Sequence, residues 1–346
     1  MTASAFCLLP AVMESAMFIR GGLPEGKRSG GGLKMCIAKN EREWICPERL
    51  QMGDTIGFVA PCCVLQKKDA DQARSVLEGM GFRVKYAEHL FSKAWGFSGT
   101  DRERTEDFMQ MIEDPEVKML LFTGGEVSTH LLPLLDYESI RRHPKLISSF
   151  SDGTSILNAI ACRSGLMTFY GQSIRTFAEH TEGTGYNLQT LQDRLVKGTA
   201  EYKAASSWRT LCSGQAEGRL TGGYLVNFTL LQNTPYYQWN SEERPLLFLE
   251  DHEKFNEPAA VSRYLSCLEQ DGVFDKVCGL IFGHYSEQHC PILDEILLRI
   301  GQKHNIPVVR TDDFGHGKYN AIFPIGEYAM LDTECGSFEL RGSSVY

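Results

Sequence analysis

TIGFVAPCCVLQKKDADQARSVLEGMGFRVKYA, residues 55–87, reads as one strand–helix–strand unit. Residues 55–60 are an apolar run stopped by Pro61, the pattern of a parallel strand covered on both faces. Residues 69–80 set Ala73, Val76, Leu77 and Met80 on one helical face, and Gly81 supplies the C-terminal stop. Residues 83–87 form the next predicted strand. Outward from this unit the alternation continues. A helix is predicted over 101–112, with Thr100 or Asp101 as N-cap, then strands over 117–122 and 146–150. A helix over 154–163 leads to a strand over 166–169. Such alternation predicts an α/β protein with a parallel sheet wrapped by helices. Residues 187–205 are polar, with Leu188, Leu191 and Leu195 at helical spacing, and read as a connector. From Trp208 onward glycines are more frequent, strands shorter and helices fewer. Strands are expected over 246–249, 277–282 and 307–310, with two more around Gly326.

Composition bounds the function. Of 346 residues 42% are apolar and 23% charged, enough to bury a core without metals or disulfides. A net charge of −9 with both signs dispersed argues against a nucleic-acid partner, which needs clustered Lys and Arg. No apolar run is long enough to span a bilayer. The eleven cysteines are irregularly spaced and contain no CxxC, which predicts reduced thiols and a cytoplasmic protein. No HExxH or close histidine pair points to a metal, and no GxGxxG follows the first strand, so no cofactor is expected. Residues 21–32 are rich in Gly and polar side chains, so an extension over 1–48 is expected to be disordered, and Met35 or Met52 could serve as the start.

Three segments carry chemistry. In FTGGEVSTHLL, residues 122–132, a buried strand runs into two glycines and a serine at the head of a helical pattern. Such a turn lies at the carboxyl end of a sheet, where open α/β folds bind ligands, and helix-start N–H groups can stabilise an oxyanion. Ser128 is the candidate nucleophile; a helix N-cap is the alternative use of such a serine. In LLFLED, residues 246–251, a carboxylate at a strand end can orient an imidazole, or can simply be solvated. In DDFGHGKYN, residues 312–320, His316 sits between two glycines that give it no packing neighbours, which suits a general base. His130 and His284 are weaker candidates.

These segments, in this order, resemble the LD-carboxypeptidase and microcin C immunity peptidase family over residues 53–331. GDTIGFVAP resembles its opening strand, GGEVSTHLLPLLDYESIRRHPK its nucleophile segment, SFSDGTSIL (149–157) the next signature, and EGRLTGGYL the start of its second domain. The resemblance implies a Rossmann-like N-terminal domain with a parallel sheet over 49–186 and a helical connector over 187–206. It also implies a smaller β-rich swivelling-barrel domain over 207–346. It further implies a serine peptidase or amidase with Ser128, Glu250 and His316 as triad, acting through an acyl-enzyme, in a homodimer. Backbone N–H groups of Gly125 and Thr129 are the expected oxyanion donors. Glu126 and Val127, Gly222-Gly223-Tyr224 and Tyr170-Gly171-Gln172 depart from the family's usual residues, which bears on substrate. Glu126, Trp208 and Trp239 are the expected substrate contacts, the tryptophans by stacking. The substrate is then a murein tetrapeptide, cut at an L–D bond, or an aminoacyl-nucleotide conjugate, cut by an immunity-type amidase. A non-catalytic Rossmann-like binding protein is the third possibility.

Overall fold

The computed structural model describes residues 44–125, 128–179 and 181–346. The chain runs β1 (Thr55–Val59), α1 (Lys67–Gly79), β2 (Arg83–Tyr86), α2 (Asp101–Glu113) and β3 (Val117–Phe122). There follow α3 (Tyr137–Arg142), β4 (Leu146–Ser149), α4 (Gly153–Ser164), β5 (Thr168–Tyr170), α5 (Ile174–Ala178) and α6 (Thr184–Leu191). The second half comprises β6 (Arg209–Cys212), β7 (Gln215–Tyr224), α7 (Leu225–Leu231), β8 (Leu246–Glu250), α8 (Pro258–Gln270) and α9 (Val273–Lys276). It closes with β9 (Gly279–His284), α10 (Pro291–His304), β10 (Val308–Gly315), β11 (Phe323–Ile325), β12 (Tyr328–Asp332) and β13 (Ser337–Leu340).

The first sheet has the order β11-β5-β4-β3-β1-β2. Five strands are parallel, and β11 pairs antiparallel with β5, so the C-terminal half contributes an edge to the N-terminal sheet. The apolar run that decides the fold is β1, buried along its whole length. The N-cap of α2 is Thr100, which forms a capping box with Glu103. Gly81, at φ +93°, ends the turn after α1, as the sequence predicts.

The second sheet has the order β13-β12-β7-β8-β9-β10-β6. Its middle, β7 to β10, is parallel, and β6, β12 and β13 run antiparallel at the edges. The expectation of few helices here is corrected by α7 to α10. α8 and α10 each start with proline at the first turn and bury a narrow stripe, Val261, Leu265 and Leu268 in one and Leu293, Leu297 and Ile300 in the other. Stripes that thin are easily read as loop. No described helix is long and apolar enough to cross a membrane.

Of the expected extension over 1–48, residues 1–43 lie outside the described residues. Order begins earlier than the sequence suggests: Ile45 bridges Leu166, and Leu50 N–H donates to the Leu195 carbonyl at 2.7 Å. The expected connector begins as α6 and a π-turn over Gln192–Val196, and is irregular beyond it. Its far end is fixed by buried Asp313 of β10, which accepts from Tyr202 O–H, the Ala205 and Ser206 N–H groups, the Ser206 hydroxyl and Trp208 Nε1. The two sheets share an aromatic core. Phe248 of β8 meets Tyr170 at 5.6 Å and Phe323 at 5.2 Å between ring centroids, and Phe314 meets Phe323 at 4.4 Å. This packing fixes β8 and β10 against β5 and β11, and so fixes what their carboxyl ends present.

Candidate active site

Buried β4 delivers Phe150, Ser151 and Asp152 to the start of α4. Ser151 has φ +57°, a left-handed conformation that costs a non-glycine residue on the order of 1 kcal/mol and is held only by surrounding structure. Gly153 lets the chain enter the helix, since a Cβ there would overlap the Ser149 hydroxyl. A strained strand-to-helix turn of this kind lifts a hydroxyl clear of the sheet. From the second sheet, β8 ends in Glu250, and His316 follows the last residue of β10. Gly315, at φ +102°, brings the histidine loop against Glu250; a Cβ there would lie 2.8 Å from Oε2.

Ser151 Oγ lies 2.9 Å from His316 Nε2, and His316 Nδ1 lies 2.8 Å from Glu250 Oε2. Tyr170 O–H donates to Glu250 Oε1 at 2.6 Å and accepts the Ser151 backbone N–H at 3.1 Å. Both oxygens of the fully buried Glu250 are therefore engaged. With Nδ1–H donating to the carboxylate, Nε2 is left to accept from the serine hydroxyl.

Sequence reasoning selects Ser128 for the hydroxyl on His316; in the structure the hydroxyl at His316 Nε2 is that of Ser151. Ser128 is buried and donates to the Asp152 carbonyl at 2.8 Å, with no hydrogen bond to His316 among the described residues. β3 and β4 are neighbours in the sheet; Ser128 directly precedes a 3₁₀ turn, Thr129–Leu131, and Ser151 lies between β4 and α4. Ser128 fastens the loop of the other serine. Thr129 is selected as an oxyanion donor only because it follows Ser128; the residue that follows the imidazole-bound hydroxyl is Asp152. Gly125, at φ +152°, packs so closely on Cys63 that a Cβ would overlap it, and neighbouring Gly124 borders Phe150 and Arg175.

Neither tryptophan lines the cleft that holds His316. Trp208 donates Nε1–H to Asp313 at 2.8 Å and stacks on Phe338 at 5.1 Å. Trp239 donates to Gln232 Oε1 at 2.9 Å and packs on Tyr237 and Phe228. Each ring has a packing partner and each N–H an acceptor. Glu126 lies outside the described residues. His130 is on the rim of Phe97 and Asp101, and His284 is buried beneath Gly317. Three residues to which sequence reasoning assigns no catalytic role stand at the centre: Ser151, Tyr170 and His252. Ser151 is signalled by a strand running straight into Ser-Asp-Gly and a helix. Tyr170 is signalled only through the Tyr170-Gly171-Gln172 segment that departs from the family's usual residues.

The cleft has a volume of about 270 Å³ and is bordered by Phe150, Arg175, His252, Lys254, Phe255 and His316. Burial disfavours the charged form of His316, but the Glu250 carboxylate outweighs it, and the net shift is upward from the ordinary histidine value. Burial, with Glu250 adjacent, pushes Asp251 up to about 7. Burial, followed by His284, pulls His252 down to about 4. Burial and the Glu250 carboxylate push Tyr170 well above the phenol range, which keeps it a donor. Among the described residues no group of three or more His, Cys, Asp or Glu is placed to hold a metal.

Comparison with known proteins bears on this arrangement. Residues 56–171 match the LD-carboxypeptidase N-terminal domain and residues 217–331 the LD-carboxypeptidase C-terminal domain. The chain is 30% identical over 324 residues to the microcin C7 self-immunity protein MccF of Escherichia coli, covering 82% of this chain and 92% of that protein. The structure of MccF in complex with aspartyl sulfamoyl adenosine superposes with a TM-score of 0.77 at 26% identity, covering 87% of this chain and 100% of that one. A muramoyltetrapeptide carboxypeptidase from Oxalobacter formigenes superposes with a TM-score of 0.70 at 26% identity, covering 83% and 97%. With both domains matched and the α/β architecture shared along the chain, the protein belongs to the LD-carboxypeptidase family and is a hydrolase.

Proposed function

We propose that the protein is a serine-type amidase in which Ser151 is the nucleophile, His316 the general base and Glu250 the acid that orients it. The observation that carries this reading is the hydrogen-bonded line Ser151 Oγ–His316–Glu250, at 2.9 and 2.8 Å. In the reaction, Ser151 Oγ attacks the amide carbonyl while its proton passes to His316 Nε2. Glu250 stabilises the imidazolium, which then protonates the leaving amine. Water, deprotonated by His316, attacks the acyl ester and returns the serine. The N–H of Asp152, next after the nucleophile at the head of α4, and one from the Gly124–Gly125 turn are the oxyanion donors in this scheme.

The substrate in this reading is a murein tetrapeptide cut at its L–D bond. Arg175 and Lys254 on the cleft walls, without a carboxylate partner among the described residues, favour a substrate with a carboxylate beside the scissile amide. The MccF structures bound to aminoacyl sulfamoyl nucleotides support a second reading, hydrolysis of an aminoacyl-nucleotide conjugate. Incubation with tetrapeptide and with aspartyl sulfamoyl adenosine, followed by mass spectrometry, tests both. Release of D-Ala from the first is the expected result; turnover of the second alone would favour the immunity-type activity, and turnover of neither would contradict the amidase. A cytoplasmic homodimer belongs to the same proposal.

The base must be neutral to accept a proton. Because the His316 pKa is raised, kcat/KM is expected to climb with pH through a value above the ordinary 6.5. Removing the Glu250 charge removes the force that raises it, so the limb of Glu250→Gln should move to lower pH. A limb unmoved by that substitution would contradict the assignment.

A further inference from the structure

His252 follows Glu250 by two residues yet takes no part in the proton relay. The residue is 3% exposed, and it borders the catalytic cleft. Nδ1 accepts the Lys254 backbone N–H at 3.1 Å, so the ring proton of the neutral form resides on Nε2. That Nε2–H has no hydrogen-bond acceptor among the described residues, and it is not one of the buried polar atoms left without a partner, so it is an edge of the ring open to the cleft.

The loop holding it is built to keep it still. His252 N–H donates to Asp251 Oδ1 at 2.7 Å, and Asn256 Nδ2 donates to both oxygens of the same carboxylate. The Phe255 and Asn256 N–H groups return to the His252 carbonyl at 2.9 and 3.0 Å. Tyr285 O–H donates to the Asn256 carbonyl at 2.7 Å. The ring lies between His284, at 5.4 Å, and His316, at 6.4 Å, with Phe255 at 6.0 Å. An imidazole packed among two others is kept from charging, in keeping with its downward shift. It therefore presents a neutral donor, while Arg175 and Lys254 at the same cleft carry positive charge without a carboxylate partner among the described residues.

We propose that His252 is a specificity-determining residue that donates Nε2–H to a carboxylate oxygen of the substrate, with Arg175 and Lys254 supplying the counter-charge. The inference rests on the amidase reading above, and adds which side chain reads the substrate's acid group. A neutral, fixed donor distinguishes a carboxylate from a carboxamide by orientation as well as charge: the amide nitrogen turned toward Nε2–H would meet donor with donor.

The test is binding to the Ser151→Ala protein, by calorimetry, of two ligand pairs. One pair is murein tetrapeptide and its C-terminal carboxamide; the other is aspartyl and asparaginyl sulfamoyl adenosine. The acid should bind at least about 10-fold better than its amide in one of the pairs. Adding His252→Leu should reduce that preference several-fold, and His252→Gln, which restores a neutral donor, should recover it. The preference is a ratio within one variant, so loss of folded protein does not imitate it. A preference unchanged in His252→Leu, or absent in both pairs of the parent, would overturn the proposal. Which pair binds at all reports separately on the substrate reading.

Discussion

Ser151→Ala is expected to lower kcat at least about 10⁴-fold without unfolding the protein, since the nucleophile and its base act as one unit. The hydroxyl makes one bond, to His316, and contributes nothing to the core. Alanine also tolerates the left-handed backbone no worse than serine does, so stability should change by less than about 1 kcal/mol. Ser128→Ala is the control. It removes the hydrogen bond to the Asp152 carbonyl, which costs about 1 kcal/mol of stability and loosens the elbow. The expected fall in kcat is no more than about 10²-fold, the scale of a small misplacement. Steady-state kinetics on tetrapeptide, with circular dichroism to verify folding, distinguish the two. The opposite ranking would return the nucleophile to Ser128.

Glu250→Gln should cost about 10³- to 10⁴-fold in kcat, more than the loss of a charge alone would suggest. Both Glu250 oxygens accept, one from Tyr170 O–H and one from His316 Nδ1–H. A glutamine has one acceptor for these two donors. If its oxygen stays with Tyr170, its NH₂ faces Nδ1 and forces the imidazole into the tautomer whose Nε2 carries the proton and cannot accept another. Tyr170→Phe removes the competing donor and frees the amide to turn. Tyr170→Phe alone should lower kcat about 10-fold, yet added to Glu250→Gln it should restore part of the loss. Additive losses would show that Tyr170 and His316 do not compete for the residue at 250.

Much of the architecture is legible in the sequence because it is local. The apolar run of β1, the stop at Gly81 and the Thr100 cap need only neighbours to be read. Glu250 and His316 stand out in the sequence for a related reason: one ends a buried strand as a carboxylate after LLFL, and the other directly follows a strand, between glycines that exclude a packing role. The serine is not, because the choice depends on which of two adjacent strand ends faces the imidazole. GGEVS is the richer pattern, with two glycines that let the chain turn sharply. SDG achieves its turn by strain at Ser151 and a single glycine at 153, and the strain is invisible until φ is known. The surroundings of the tryptophans are hidden for the converse reason. A large aromatic is a natural stacking platform in sequence, and only the fold shows that Trp208 donates to Asp313 and Trp239 to Gln232. His252 has no sequence signal at all. Its role depends on a backbone N–H two residues on, which selects its tautomer.

The most direct test of the nucleophile is covalent labelling with a fluorophosphonate, then digestion and mass spectrometry of the adduct. The attack needs a hydroxyl activated by His316, so the account predicts phosphonylation of the peptide carrying Ser151, abolished in His316→Ala. An adduct on Ser128, or labelling undiminished in Ser151→Ala, would contradict it.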